Sequence, residues 1–352
     1  MLSKREFVKG LTALTALFLA PFSSSIAQQR TIGQSGPKPR IFPKRLKKGA
    51  MIGLVTPGGT IRKEQLLETV EKLKRMGFRT YYKESVLSEY GYFAGTDQER
   101  ADELMHMFTN ENVDAILCVR GGYGSIRILD LLDYDQIQQN PKALIGYSDI
   151  TALLTSIYER TGLITFHGPL GISSFNDFTY DSFERVLMKP RKQYIYPYER
   201  EANSDNNIEY DIYTIHEGKA EGELIGGNIS VLDSMIGSAY EHDFENKIVY
   251  LEEIDEQTYR VDKMLFHLLY ATNLNKAAGI VLGVFDDCNF NKEEPKLTLK
   301  QAIADLLMPL GIPVSYGLSF GHIATMITIP NGIKASMNAD KNTLKLLEKA
   351  VS

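Results

Sequence analysis

Between residues 51 and 160 of this 352-residue chain, short apolar runs alternate with helical periodicities, and that alternation limits the fold more than any other feature. Residues 51–55 form an apolar strand that breaks at Thr56-Pro57-Gly58-Gly59. A helix follows, with Leu66, Leu67, Val70, Leu73 and Met76 on one face, and Gly77 ends it. Residues 80–83 read as a second strand. Thr96 and Glu99 make a capping box for a helix through Phe108, residues 115–119 are a buried strand, and residues 125–132 are helical. Near-continuous apolar strands separated by helices predict a parallel sheet covered on both faces, with a ligand crevice at the carboxyl ends of its strands.

Leu144-Ile145-Gly146-Tyr147-Ser148-Asp149-Ile150-Thr151 lies at such an end. Residues 143–145 are strand-like, whereas Ile150, Leu153, Leu154 and Ile157 recur at helical spacing, so Ser148 falls on a strand-to-helix turn. A serine there holds its hydroxyl clear of the sheet, and the first N–H groups of the helix lack partners and can hold an oxyanion. The same serine would also serve as a plain N-cap. The G-x-S-x-G nucleophile pattern lacks its second glycine here. At the same edge, Arg120-Gly121-Gly122-Tyr123-Gly124-Ser125 follows the preceding strand, and its glycines let the backbone come close to a ligand. It is neither G-x-G-x-x-G nor a P-loop, so an oxyanion-hole loop fits it better than a phosphate cradle. A tight turn without a ligand is the alternative.

A serine nucleophile needs a base and an acid that orients the base. Of six histidines, His106 and His267 lie in helices and His216 and His242 in charged loops, which leaves His167 and His322, both beside glycine. For the acid, Tyr250-Leu251-Glu252-Glu253-Ile254-Asp255-Glu256 ends an apolar strand in carboxylates. Neighbours on a strand face opposite ways, so only one of Glu252 and Glu253 can point into a given cleft. Asp255 and Glu256 fit a solvated loop. Neither H-E-x-x-H nor a D-x-D-x-D-G loop occurs, and the chemistry is read as needing no metal and no cofactor.

Residues 1–27 read as an export signal: Lys4, Arg5 and Lys9 precede an apolar run over 11–22, and Ser25-Ile26-Ala27 offers small residues for cleavage. The run is too short to span a bilayer. Ser3-Lys4-Arg5-Glu6-Phe7-Val8-Lys9 is similar to a twin-arginine signal with Lys4 in place of the first arginine. No cysteine stands directly after Ala27, so no membrane anchor is expected, and the expected location is the periplasm, or the cytoplasm if the signal does not function. Residues 28–48 read as a flexible lead-in, 49–172 as an α/β domain, 173–216 as an interdomain connection and 217–345 as a second domain. In that last part, strands are expected at 222–225, 248–254 and 278–285, and helices at 259–270 and 297–307. Asn228 is placed to cap a helix through Met235, and a further apolar run over 324–329 ends at Pro330. The net charge is −5, and loss of Lys4, Arg5 and Lys9 against Glu6 takes it to −7, with no basic stripe after residue 48. Nucleic acid is thereby excluded as a natural partner. Cys118 and Cys288 read as small buried hydrophobes, and whether they pair stays open.

Five segments together resemble the LD-carboxypeptidases, or muramoyltetrapeptide carboxypeptidases, serine peptidases with a Ser-Glu-His triad. They are Gly53-Leu54-Val55-Thr56-Pro57; Arg120-Gly121-Gly122-Tyr123-Gly124; Ile145-Gly146-Tyr147-Ser148-Asp149-Ile150-Thr151 with Phe166-His167-Gly168-Pro169; Gly226-Gly227-Asn228 with Leu251-Glu252-Glu253 and Tyr259-Arg260-Val261-Asp262; and Gly321-His322 with Pro330 and Gly332. The resemblance implies an N-terminal parallel-sheet α/β domain, a C-terminal domain rich in strands, and an active site at their interface. It implies Ser148 as nucleophile, Glu252 as orienting acid, His322 as general base, and the N–H groups of Gly122 and Asp149 as the oxyanion hole. Tyr123, Tyr147 and Asn228 become candidates for substrate contact. The expected reaction is hydrolysis of the L,D bond of a murein tetrapeptide through an acyl-enzyme, releasing D-alanine, and the expected assembly is a homodimer. Some members hydrolyse peptide-nucleotide antibiotics instead. A binding protein that captures cell-wall peptides without cutting them is the alternative outside enzymology. The exported N-terminus and the helix at 297–307 differ from what the resemblance leads one to expect.

Overall fold

The computed structural model describes residues 38–198, 208–289 and 297–352. The expected export signal lies outside these residues. The described part of the lead-in, 38–48, is packed and not free: Ile41 exchanges backbone hydrogen bonds with Gly162 and Ile164, Leu46 is buried, and Arg40 pairs with Glu348. The apolar Ile41 and Leu46, set among lysines and prolines, carry the packing that the composition hid.

The first sheet is built from β1 (Met51–Val55), β2 (Arg79–Tyr81), β3 (Ala115–Cys118), β4 (Ala143–Gly146) and β5 (Phe166–His167), all parallel. β3 and β4 are buried at every position, as strands covered on both faces must be. The helices between and after them are α1 (Lys63–Arg75), α2 (Asp97–Thr109), α3 (Tyr134–Gln139), α4 (Thr151–Thr161) and α5 (Asp177–Leu187). Thr96 and Glu99 form the expected capping box on α2. Residues 125–131 make 3-10 turns and not an α-helix.

The second sheet holds β6 (Tyr194–Ile195), β7 (Tyr213–His216), β8 (Lys219–Asn228), β9 (Ile248–Ile254), β10 (Gly279–Asp286) and β11 (Val314–Tyr316). The chain then crosses back, and β12 (Ile329–Pro330) lies antiparallel on β5 at the edge of the first sheet. β13 (Lys334–Asn338) and β14 (Thr343–Leu346) return to the second. The spatial orders are β12-β5-β4-β3-β1-β2 and β6-β14-β13-β8-β9-β10-β11-β7. Packed beside the second sheet are α6 (Ile229–Met235), α7 (Thr258–Ala271) and α8 (Leu299–Leu307), and Asn228 caps α6 as expected.

The connection read over 173–216 is no simple tether, because its β6 and β7 form both edges of the second sheet. The apolar run at 324–329 pairs only at its end. Two of its backbone donors are taken by side chains of α5, Met326 N–H by Thr179 Oγ1 and Thr328 N–H by Ser182 Oγ, each at 3.0 Å, and the Ile327 N–H donates to the Ser319 carbonyl. The two halves share one cluster of buried side chains, which includes Ile145 and Phe166 from the first sheet and Tyr250 and Phe285 from the second. At the joint, β8 meets the start of α4 and the Asn228 N–H donates to Thr151 Oγ1 at 3.1 Å. A β-carbon at Gly227, whose φ is +147°, would lie 2.4 Å from that oxygen, so only glycine permits the approach.

Candidate active site

The buried run of β4 stops at Gly146, and the chain turns through Ser148 at φ +64° into a 3-10 turn, Ser148–Ile150, and then α4. A non-glycine residue in the left-handed region costs roughly 1–2 kcal/mol and persists where the surroundings fix it. The turn lifts the serine off the carboxyl edge of the sheet. Ile150 stands where the elbow pattern has its second glycine and packs against Gly146, where a β-carbon would come within 2.9 Å of its side chain.

The glycine loop after β3 lies against this turn. A β-carbon at Gly121 would stand 3.0 Å from Ser148 Cβ and 3.2 Å from its Oγ, so glycine is what lets the loop reach the serine. Among the described residues the Gly122 N–H has no intramolecular acceptor. The Asp149 N–H follows the serine in the first turn, where helical donors are unpaired.

Three buried charged side chains hold this edge in place, and none was recognised in the sequence. The Asp149 carboxylate accepts the N–H of Gly124 at 3.1 Å and of Ser125 at 2.9 Å. Arg100, from α2, donates to the carbonyl oxygens of Pro57 and Gly124 and pairs with Asp97. Glu103, one turn later, accepts from the Thr56 N–H at 3.3 Å and Ser85 Oγ at 2.6 Å. Burial raises the pKa values of Asp149 and Glu103 against these donors. In sequence, nothing assigns a role to Arg100 or Glu103, and Asp149 is considered for its backbone alone.

The second sheet contributes the opposite wall. Along β9, Tyr250 and Glu252 face one side and Leu251 and Glu253 the other, the alternation expected of a strand. Glu252 is wholly buried, and His322, in the loop after β11, donates from Nδ1 to its Oε2 at 2.8 Å. That bond fixes the tautomer of the neutral ring, leaving Nε2 as an acceptor. Burial pulls His322 toward the neutral form, but the charge and hydrogen bond of Glu252 outweigh it and raise its pKa above the usual 6.5. Burial works against ionised Glu252 in the same way, and His322 outweighs it, so the carboxyl pKa is lowered.

Tyr147 joins the halves, its ring standing edge-on to His322 with centroids 4.8 Å apart. The turn that carries Ser148 and the loop that carries His322 are thus in contact through Tyr147. Among the described residues no hydrogen bond joins Ser148 to His322. Tyr123 is 53% exposed on the glycine loop, open to a ligand. Tyr147 is packed between imidazoles. The Asn228 side chain is buried, its amide donating to Glu253 at 3.0 Å and its oxygen capping α6 at 3.2 Å. Glu253 also accepts from the Ser230 N–H at 2.9 Å, which makes it an internal anchor of α6. His167, the other candidate base, is wholly buried with both ring nitrogens unpartnered among the described residues. His106 bonds Tyr81 and His267 bonds Asp233. Cys118 and Cys288 are buried free thiols.

Comparison with known proteins gives a consistent result. Residues 52–168 match the model of the LD-carboxypeptidase N-terminal domain and residues 221–337 that of the LD-carboxypeptidase C-terminal domain. A probable murein peptide carboxypeptidase of Bacillus subtilis is 35% identical over 315 residues, covering 88% of this chain and 95% of the relative. The wild-type apo structure of the microcin C7 self-immunity protein MccF superposes with a TM-score of 0.80 at 30% identity, covering 89% of this chain and all of that one. The muramoyltetrapeptide carboxypeptidase of Oxalobacter formigenes superposes with a TM-score of 0.73 at 26% identity, covering 84% and 98%.

Proposed function

The chain belongs to the LD-carboxypeptidase family of serine-type peptidases, and from that premise we propose that it removes the terminal D-alanine of murein tetrapeptides by cutting an L,D bond. The observation that carries this reading is the buried Glu252–His322 pair, whose imidazole packs on Tyr147, the residue before a serine held on a strained turn. His322 Nε2 takes the Ser148 proton as the oxygen attacks the scissile carbonyl, and the N–H groups of Gly122 and Asp149 receive the developing oxyanion. The C–N bond breaks, His322 returns the proton to the leaving amine of D-alanine, and water then hydrolyses the acyl-enzyme by the same route. Glu252 keeps the imidazole oriented and stabilises its charged form. The Ser148–His322 hydrogen bond forms with substrate bound, since catalytic hydrogen bonds are often long or misaligned without it.

The names of the Bacillus and Oxalobacter proteins support a murein peptide substrate. The MccF similarity supports a second reading, in which the same machinery cuts a peptide-nucleotide antibiotic. Incubating the purified protein with a murein tetrapeptide and, separately, with an aminoacyl sulfamoyl adenosine tests both. Release of D-alanine that is lost in Ser148→Ala establishes the first reading, and turnover of the nucleotide alone establishes the second. Thermal protection by the tetrapeptide without any D-alanine over hours would instead identify a binding protein. The enzyme is proposed to work after export, on peptides outside the cytoplasm.

A further inference from the structure

We propose that His167 is a positioning residue for the acid of the triad, its imidazole donating to the oxygen of Glu252 that His322 leaves unused. The proposal rests on the catalytic roles assigned above to Glu252 and His322.

His322 occupies Glu252 Oε2. Glu252 Oε1 is buried and makes no hydrogen bond among the described residues, nor do Nδ1 and Nε2 of His167, so the bond is not closed in this structure. The Asn228 amide, which donates to Glu253, also helps lower the Glu252 pKa and is the competing donor. Folded proteins pair nearly all such atoms. The capacities are complementary, because a neutral imidazole carries one N–H donor and an ionised carboxylate only accepts. Placement agrees. Tyr250, two residues before Glu252 on β9 and therefore on the same face, packs edge-on to His167 with ring centroids 5.4 Å apart. Tyr147 touches both imidazoles, at 5.8 Å for His167 and 4.8 Å for His322. Phe320, from the His322 loop, closes the pocket on the far side at 6.1 Å.

The charges acting on His167 are those of Glu252 and His322. Burial holds its pKa down to about 4, so it stays neutral where the enzyme would work and adds no charge beside the triad. β5 carries His167 in the first sheet and β9 carries Glu252 in the second. A bond between them would therefore tie the orientation of the acid to the docking of the two halves, the same docking that sets Tyr147 against His322.

Two variants separate this role from packing. His167→Phe keeps an aromatic ring but removes the donor, and His167→Gln keeps an N–H donor at similar reach. Each is made alone and in a Glu252→Gln background, and kcat, KM and Tm are measured. His167→Phe should lower kcat about 10- to 100-fold with KM little changed, as loss of an orienting partner does elsewhere, and His167→Gln should recover most of that loss. In the Glu252→Gln background His167→Phe should cost almost nothing more, because residues acting through one another are not additive. An unchanged kcat in His167→Phe, an undiminished further loss in the Glu252→Gln background, or folded His167→Gln no better than His167→Phe would overturn the proposal. Failure of the triad reading shows separately, as full turnover by Ser148→Ala and Glu252→Gln.

Discussion

The carboxylate of Asp149 accepts the backbone N–H of Ser125 at 2.9 Å, so the residue after the nucleophile is bonded to the loop that would hold the oxyanion. The elbow and the glycine loop thus move as one piece. Asp149→Ala should strip two buried N–H groups, those of Gly124 and Ser125, of their acceptor, at about 1–3 kcal/mol for each. Its kcat should fall while substrate affinity changes less, since the oxyanion donors act mainly in the transition state. Urea titration beside steady-state kinetics checks both, and a variant with unaltered midpoint and kcat would refute the clamp.

Replacing the nucleophile separates chemistry from stability. Ser148→Ala retains the strained φ of +64° and should unfold near the wild-type midpoint, with activity reduced by about a thousandfold or more. Ser148→Gly should be equally inactive but more stable by about 1 kcal/mol, because glycine adopts that region without strain. A tenth of the activity surviving in either variant would remove Ser148 from the mechanism.

The pH profile follows from the Glu252–His322 pair. The general base works as the neutral imidazole, and Glu252 raises the pKa of His322, so kcat/KM should climb with pH through a value above 6.5. Glu252→Gln removes the charge that opposes burial, and its residual activity should titrate at lower pH with a much lower plateau. Stability runs the other way: the raised pKa contributes stability below the unfolded value of about 6.5 that is lost as pH rises through the folded one. An acid limb unmoved in Glu252→Gln would show that another group titrates.

Much of this was legible in the sequence. The parallel sheet could be read because strands buried on both faces are continuously apolar, as in residues 115–118 and 143–146. The cap at Asn228 and the alternation of Glu252 and Glu253 are local rules that tertiary contacts did not override. The return of the chain at Ile329 to the first sheet was not legible, because pairing across 160 residues leaves no local periodicity and Pro330 reads as a stop. Strands 334–338 and 343–346 were missed since five of their nine residues are polar. Arg100 and Glu103 passed unnoticed for a physical reason: a buried ion held by backbone groups has the same spelling as a solvated one.

Glu252 and Glu253, adjacent in sequence, should differ in what their loss affects. Glu253→Gln weakens the acceptor for the Ser230 N–H and the Asn228 amide at the start of α6, so it should lower the unfolding midpoint. Its turnover at permissive temperature should stay within severalfold of wild type. Glu252→Gln should do the reverse. The opposite ranking in kcat would show that the acid was misassigned.

The last prediction concerns residues 1–27, where charged, apolar and small segments follow one another in the order an export peptidase reads. Packing onto the folded body is already established at Ile41 and Leu46, more than ten residues beyond a cut after Ala27, so cleavage there would leave every described contact intact. The mature protein should begin at Gln28 and be recovered outside the cytoplasm. Fractionating native cells and sequencing the N-terminus of the recovered protein tests this, with full-length chain in the soluble cytoplasm as the refuting result. That outcome would leave the triad untouched but place the enzyme among intracellular peptides, where Cys118 and Cys288 would stay reduced.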